Sequence, residues 1–195
     1  LQMHHSLRLA LPLCTIALLF ACNDSASGNN ISSIISPPST QKTLSGIAID
    51  GYLNKAKVCL DINRDLACSK KEDGHVVFSD NLGHYKLAID TDIDISQYSL
   101  IVEAIPGTTI DMDNPLQKIK NAYVLSAPAD HAKIVSPYST VIEAIAKQQN
   151  LNFKEARNKL ASSLKLNAQD FEKDYVASTN LTHKKMHIPV TNEDA

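Results

Sequence analysis

The sequence predicts a mainly β protein, a small β-sandwich followed by a C-terminal α-helical hairpin, on three observations. Short segments rich in β-branched residues recur between about residues 43 and 130. Glycine-containing turn signals bracket them. Past Ser136 the apolar period lengthens from two residues to between three and four, the change that separates strands from helices.

Six strands are expected, over residues 44–49, 57–62, 75–79, 85–89, 100–105 and 123–127. Asp50-Gly51 is a tight-turn signal, and Asn81-Leu82-Gly83 is a second in which glycine supplies a positive φ. A sandwich is one closure of such a meander and a small barrel is the other. Thr140 and Glu143 are spaced as a capping box for a helix carrying Val141, Ile142, Ile145 and Ala146. Asn152 and Glu155 repeat that spacing ahead of Phe153, Ala156, Leu160 and Leu164, whose stripe runs to about Leu166. The short Asn150-Leu151 link makes the two helices antiparallel neighbours, and a further turn is expected between Asp170 and Ala177. The resulting organisation is a β-sandwich over 43–130, a helical hairpin packed on it over 131–178, and a polar tail over 179–195.

The first 42 residues read differently. After Met3 and the basic Arg8, an apolar run from Leu9 to Ala21 ends at Cys22, followed by Asn23-Asp24-Ser25. As a helix this run rises only about 20 Å, short of the roughly 30 Å hydrocarbon core of a bilayer, but it has the length of a signal-peptide core. Leu19, Ala21 and Cys22 resemble the lipobox cut by lipoprotein signal peptidase, with Phe20 bulkier than usual there. The resemblance implies a signal peptide over 1–21, removed together with Cys14, and lipidation of Cys22. Asn23 after that cysteine resembles an outer-membrane address. Residues 22–42, rich in Ser, Asn and Pro, read as a solvated, disordered tether.

With 19 basic against 21 acidic side chains and only 5% aromatic residues, the chain has neither the electrostatic footprint nor the stacking surface expected of a nucleic-acid binder. The stretch from Val58 to Gly74 carries the most suggestive chemistry. Asp61, Asn63 and Asp65 alternate, and Ala67, Ser69 and Glu72 follow at the seventh, ninth and twelfth positions counted from Asp61. That is the spacing of an EF-hand-type loop, in which a curled backbone presents oxygens to calcium. Leu66 stands where such loops place glycine, and an ion-free, Asx-rich hairpin is the other reading. Cys59 and Cys68 flank the same stretch, and export would permit a disulfide between them. Neither a Cys-x-x-Cys redox pair nor four zinc ligands are present there.

Four segments resemble a group of uncharacterised exported lipoproteins of gamma-proteobacteria: residues 45–53, 58–63, Asp80-Asn81-Leu82-Gly83-His84-Tyr85, and 135–140. The front half of that family is similar to carboxypeptidase regulatory-like, transthyretin-type (prealbumin-like) β-sandwiches. Its Asp-rich loop is similar to that of calcium-binding B repeats in surface adhesins. The resemblance covers residues 45 to about 177 and implies a loop calcium held by Asp61, Asn63, Asp65 and Glu72.

A hydrolase assembled from Asp130, His131 and one of Ser126, Ser136 or Ser139 lacks nucleophile-elbow glycines. Asp111 and Asp113 read as a solvated carboxylate pair, and His183 and His187 as decoration of a flexible tail. The functional expectation is a non-enzymatic, exported module tethered to the outer membrane through its N-terminal lipid. It would bind a protein or glycan, and calcium-stabilised surface adhesion is one form of this. The alternative is a regulatory or accessory domain of a secreted or surface enzyme.

Overall fold

The computed structural model describes residues 40–71 and 73–187. The expected signal peptide, Cys22 and most of the expected tether therefore lie outside the described residues, as do Glu72 and residues 188–195. All six expected strands form, and three short ones join them. In chain order they are β1 (Gln41–Ala48), β2 (Leu53–Asn54), β3 (Lys57–Asp61), β4 (Val76–Phe78), β5 (His84–Asp90), β6 (Ser99–Ala104), β7 (Ile110–Asp111), β8 (Tyr123–Pro128) and β9 (Ile134–Val135). Three helices follow: α1 (Pro137–Gln149), α2 (Phe153–Leu164) and α3 (Leu181–Met186). About 30% of these residues are in strands and 29% in helices, so the protein is a sheet-rich mixed fold rather than a mainly β one. The helical share rises above expectation because α3 and three single 3-10 turns carry no long apolar stripe that would announce them.

The strands form a four-stranded antiparallel sheet, β4-β3-β6-β8, a three-stranded sheet, β5-β1-β9, and the small pair β2-β7. β1 runs antiparallel to β5 and parallel to β9. Both larger sheets feed one core. Leu87 and Ile89 of β5 and Ala48 of β1 meet Val58, Leu60, Leu100 and Val102 from β3 and β6. Glycine is required at one crossing. A Cβ on Gly46 would collide with the Ala132 carbonyl and with the ring of Tyr85, whose hydroxyl donates to that same carbonyl.

The opposite face of β3 and β6 is also buried. Cys59 pairs in register with Ile101, and these two form a second apolar cluster with Cys68. Burial on both faces explains why residues 58–60 and 100–102 are continuous apolar runs rather than alternating ones.

The first helix begins earlier than its expected Thr140-Glu143 box. Ser136 is the N-cap, Pro137 occupies the first turn, and Ser139 completes the reciprocal cap. Thr140 and Ser139 instead attach the helix to the edge of β8. Ser126 N–H donates to Thr140 Oγ1 (2.8 Å), and Ser139 Oγ donates to the Ser126 carbonyl (2.7 Å). An otherwise open strand edge is thereby capped by a helix. The second helix has the expected box, with Asn152 Oδ1 accepting from Glu155 N–H and Glu155 Oε2 from Asn152 N–H, both at 2.9 Å.

A third cluster lies beneath the helices. Ile142, Ala156 and Phe171 pack with Ile49, Ile134 and Tyr175. Part of the expected polar tail belongs to it. α3 buries Met186 here, and the Tyr138 hydroxyl donates to the Met186 carbonyl at 3.0 Å.

Candidate functional site

The loop after β3 is organised by its carboxylates. Cys59 and Cys68 form the expected disulfide, with Cα atoms 5.6 Å apart. Asp61 accepts the N–H groups of Asp65 (3.1 Å) and Leu66 (3.3 Å), while the buried Asp73 accepts those of Ile62 (3.0 Å) and Ser69 (2.8 Å). Asp65 accepts Ala67 N–H and the Asn63 amide. Burial raises the Asp61 pKa above the ordinary carboxylate range, partly offset by its two amide donors. Leu66 takes φ +61°, so the backbone makes the left-handed turn that glycine would make without strain. In this arrangement Asp61, Asn63 and Asp65 spend their oxygens on the loop itself. Among the described residues no group of three or more His, Cys, Asp or Glu side chains is placed to hold a metal.

This loop forms one wall of a cleft, a mixed polar and apolar space of about 660 Å³. The segment before β6 supplies Gln97 and Tyr98, the turn after β8 supplies Asp130 and His131, and α1 with the start of α2 supplies Glu143, Lys147 and Phe153. The volume falls within the roughly 300–1,000 Å³ of small-molecule sites. Aromatic rings line two sides. His131 stacks on Phe153 with centroids 4.3 Å apart, and the Arg64 guanidinium sits 5.8 Å from the Tyr98 ring centre.

Glu143 is a buried member of the lining. Its Oε1 receives the Ser99 hydroxyl and the Lys147 ammonium, the latter at 3.0 Å, whereas its buried Oε2 has no hydrogen-bond partner among the described residues. The two cations are already engaged, Lys147 on Glu143 and Arg64 Nη2 on the Gln97 carbonyl at 3.2 Å. Asp130 is exposed, and no described residue pairs with its carboxylate.

The residues weighed for a hydrolase are not assembled into a triad. Ser139 Oγ donates to backbone carbonyls, Ser136 Oγ accepts Ser139 N–H at 3.2 Å, and His131 faces Glu172 at 3.7 Å. Asp111 and Asp113 are not a solvated pair on a strand face. They wrap Gly51, where a Cβ would collide with both carboxylates, and they lie close enough to Asp50 to repel it. Burial raises the pKa of Asp50 and of Asp111, with the Asp113 charge adding to each. The two histidines of the expected tail are fixed as well, His187 on Asp113 at 2.7 Å and the buried His183 on Asp170 at 3.1 Å.

Sequence reasoning assigned Glu143 to a cap and passed over Lys147 and Tyr98. The available signal was the Glu143-Lys147 spacing of four on a helix whose neighbouring Ile142 is core. A carboxylate beside the apolar stripe marks a position that folding must satisfy. Comparison of the chain with protein-family models, curated proteins and solved structures gives no match.

Proposed function

We propose that this chain is an exported binding or scaffolding module, lipidated at Cys22 and tethered to the outer membrane, and that the cleft beside the disulfide loop is its binding surface. The single observation that carries the reading is the cleft itself, about 660 Å³ with Tyr98, His131 and Phe153 among its lining residues. The Cys59–Cys68 bond supports the export half of the reading, because disulfides persist in oxidising compartments.

In this reading the two-sheet core is a small prealbumin-like sandwich, as the resemblance to the gamma-proteobacterial lipoproteins implies. Calcium at Asp61, Asn63, Asp65 and Glu72 belongs to the same proposal. Binding there requires the carboxylates to exchange loop amides for the ion, and it would show as a calcium-dependent rise in melting temperature that chelator and Asp61→Asn both abolish.

The test is calorimetric titration of the protein with a panel of glycans, peptides and amines. Saturable binding with the ligand recovered unchanged supports a binding module. Turnover of any panel member, or no binding across the whole panel, counts against it.

A further inference from the structure

We infer that the loop between β7 and β8 is a membrane-docking loop, which seats Leu116, Lys118 and Lys120 on an anionic bilayer surface. The inference rests on the lipid-tethered reading above and adds a second contact with the same membrane. Leu116 is the most exposed large apolar side chain among the described residues, with 96% of its surface accessible. Its backbone is nevertheless fixed. Asn114, Pro115, Leu116 and Gln117 form a β-turn closed by Gln117 N–H donating to the Asn114 carbonyl at 3.1 Å, with proline second and Leu116 third. Beneath the turn, Asn114 N–H donates to the Asp111 carbonyl (2.9 Å), Ile119 N–H to the Thr109 carbonyl and Gly107 N–H to the Ile119 carbonyl (both 3.0 Å). Lys118 also pairs with Ile110 across the hairpin. The apex is thus held in shape before any partner arrives, which lowers the ordering cost of docking. Turn apices favour Gly, Asn, Asp or Ser, and a leucine left almost wholly in water breaks that local rule with no gain to the fold.

A single exposed leucine is ordinary, so the charges around it decide the matter. From Ile105 to Ala122 the acids are Asp111, which is buried, and Asp113, whose carboxylate holds His187. Lys118 and Lys120 are exposed, and no described residue pairs with either ammonium. Lys55, exposed and likewise without a described partner for its ammonium, adjoins the base of the hairpin, where its carbonyl accepts the Thr109 hydroxyl at 3.2 Å. An apolar apex flanked by free ammonium groups matches the layering of a bilayer face, with acyl chains beneath anionic headgroups. An acidic polymer would engage the lysines but offers no apolar layer to Leu116. One leucine and a few lysines bind weakly, yet a lipid on Cys22 would keep the module beside the bilayer, where a high effective concentration makes a weak contact sufficient.

The experiment is co-sedimentation of the full chain with phosphatidylcholine vesicles, with and without about 30% phosphatidylglycerol. Leu116→Ser, the Lys118→Gln, Lys120→Gln double variant and Leu181→Ser are compared with the parent. Leu181 is the apolar control, exposed but on α3. All four proteins carry the same apolar residues 9–21, so only differences among them are read. The excess binding to anionic vesicles should fall about tenfold in the double lysine variant and about threefold in Leu116→Ser, and should be unchanged in Leu181→Ser. Gadolinium-chelating headgroups in the same vesicles should attenuate the amide signals of residues 116–120 above those of the other described residues.

Equal binding by the parent, Leu116→Ser and the double lysine variant overturns the inference, as does attenuation centred elsewhere. Lysine-dependent binding that ignores Leu116 and is reproduced by polyglutamate assigns the loop to an acidic protein, and it too overturns the membrane contact. The tether is tested separately by the intact mass of the chain extracted from bacterial membranes. A Cys22 without a diacylglyceryl group removes the tethered reading while loop-dependent vesicle binding still decides the docking; a lipidated Cys22 with indifferent loop variants keeps the tether and removes the docking.

Discussion

The imidazole of His187 lies 2.7 Å from the carboxylate of Asp113, a residue 74 positions earlier in the loop after β7. With the His183–Asp170 contact and the buried Met186, it docks α3 across the helical layer. A six-residue helix is too short to be stable alone, so these tertiary contacts hold it.

His187→Ala should therefore loosen α3 at a cost of about 1 kcal/mol. The readout is tryptic cleavage after the exposed Lys184 and Lys185, which should accelerate in His187→Ala and not in Leu181→Ala, since Leu181 is 77% exposed. Equal cleavage rates in both variants would contradict the docking.

Removing the disulfide should destabilise the protein by about 3 kcal/mol, the chain-entropy value for so short a loop. The Cys59→Ser, Cys68→Ser double variant should show this as a lower urea midpoint. The loss should be concentrated on the outer face of the four-stranded sheet, where both cysteines pack on Ile101.

Asp50→Asn should stabilise the protein at pH 7. The Asp50 pKa is raised by burial first and by Asp113 among the lesser causes, so the folded state binds its proton more tightly than the unfolded state does. Stability from this group is thus fully present below about pH 3.8 and falls as pH rises through the elevated folded value. The melting temperatures of the variant and the parent should differ at pH 7 and converge near pH 4. Asp170 has the opposite sign. Hydrogen bonds from Lys173, then from His183, hold its pKa below the usual value, so its contribution is present above about pH 3.8 and is lost on further acidification.

Gly46→Ala should cost about 1–3 kcal/mol or more, because the added methyl meets the fixed Ala132 carbonyl and the buried Tyr85 ring. A midpoint equal to the parent's in urea unfolding would show that β1 and the segment before β9 can separate freely.

The strands were legible because their signal is local. Val58, Leu60, Leu100 and Val102 announce strands whatever they pack against, and the Asn152-Glu155 box lies within four residues. The Cys59–Cys68 bond followed from spacing and compartment. The first helix start was misplaced because Ser136, Thr140 and Glu143 all satisfy local cap spacing. The choice among them is made by β8, whose edge takes Ser139 and Thr140. α3 and the Asp50-Asp111-Asp113 cluster were not legible, since both depend on residues far apart in the chain. The cleft was hidden for the same reason, drawing its walls from β3's loop, the segment before β6, the turn after β8, and α1.

The most direct test of the account is a ¹⁵N-resolved chemical-shift map recorded while a panel ligand saturates the protein. The account predicts that the perturbed amides cluster at Tyr98, Asp130, Ala146 and Phe153 and that Asp130→Asn diminishes them. Perturbations confined to the separate apolar groove of about 370 Å³ near Tyr138, Leu164 and Met186, or none at all, would contradict it.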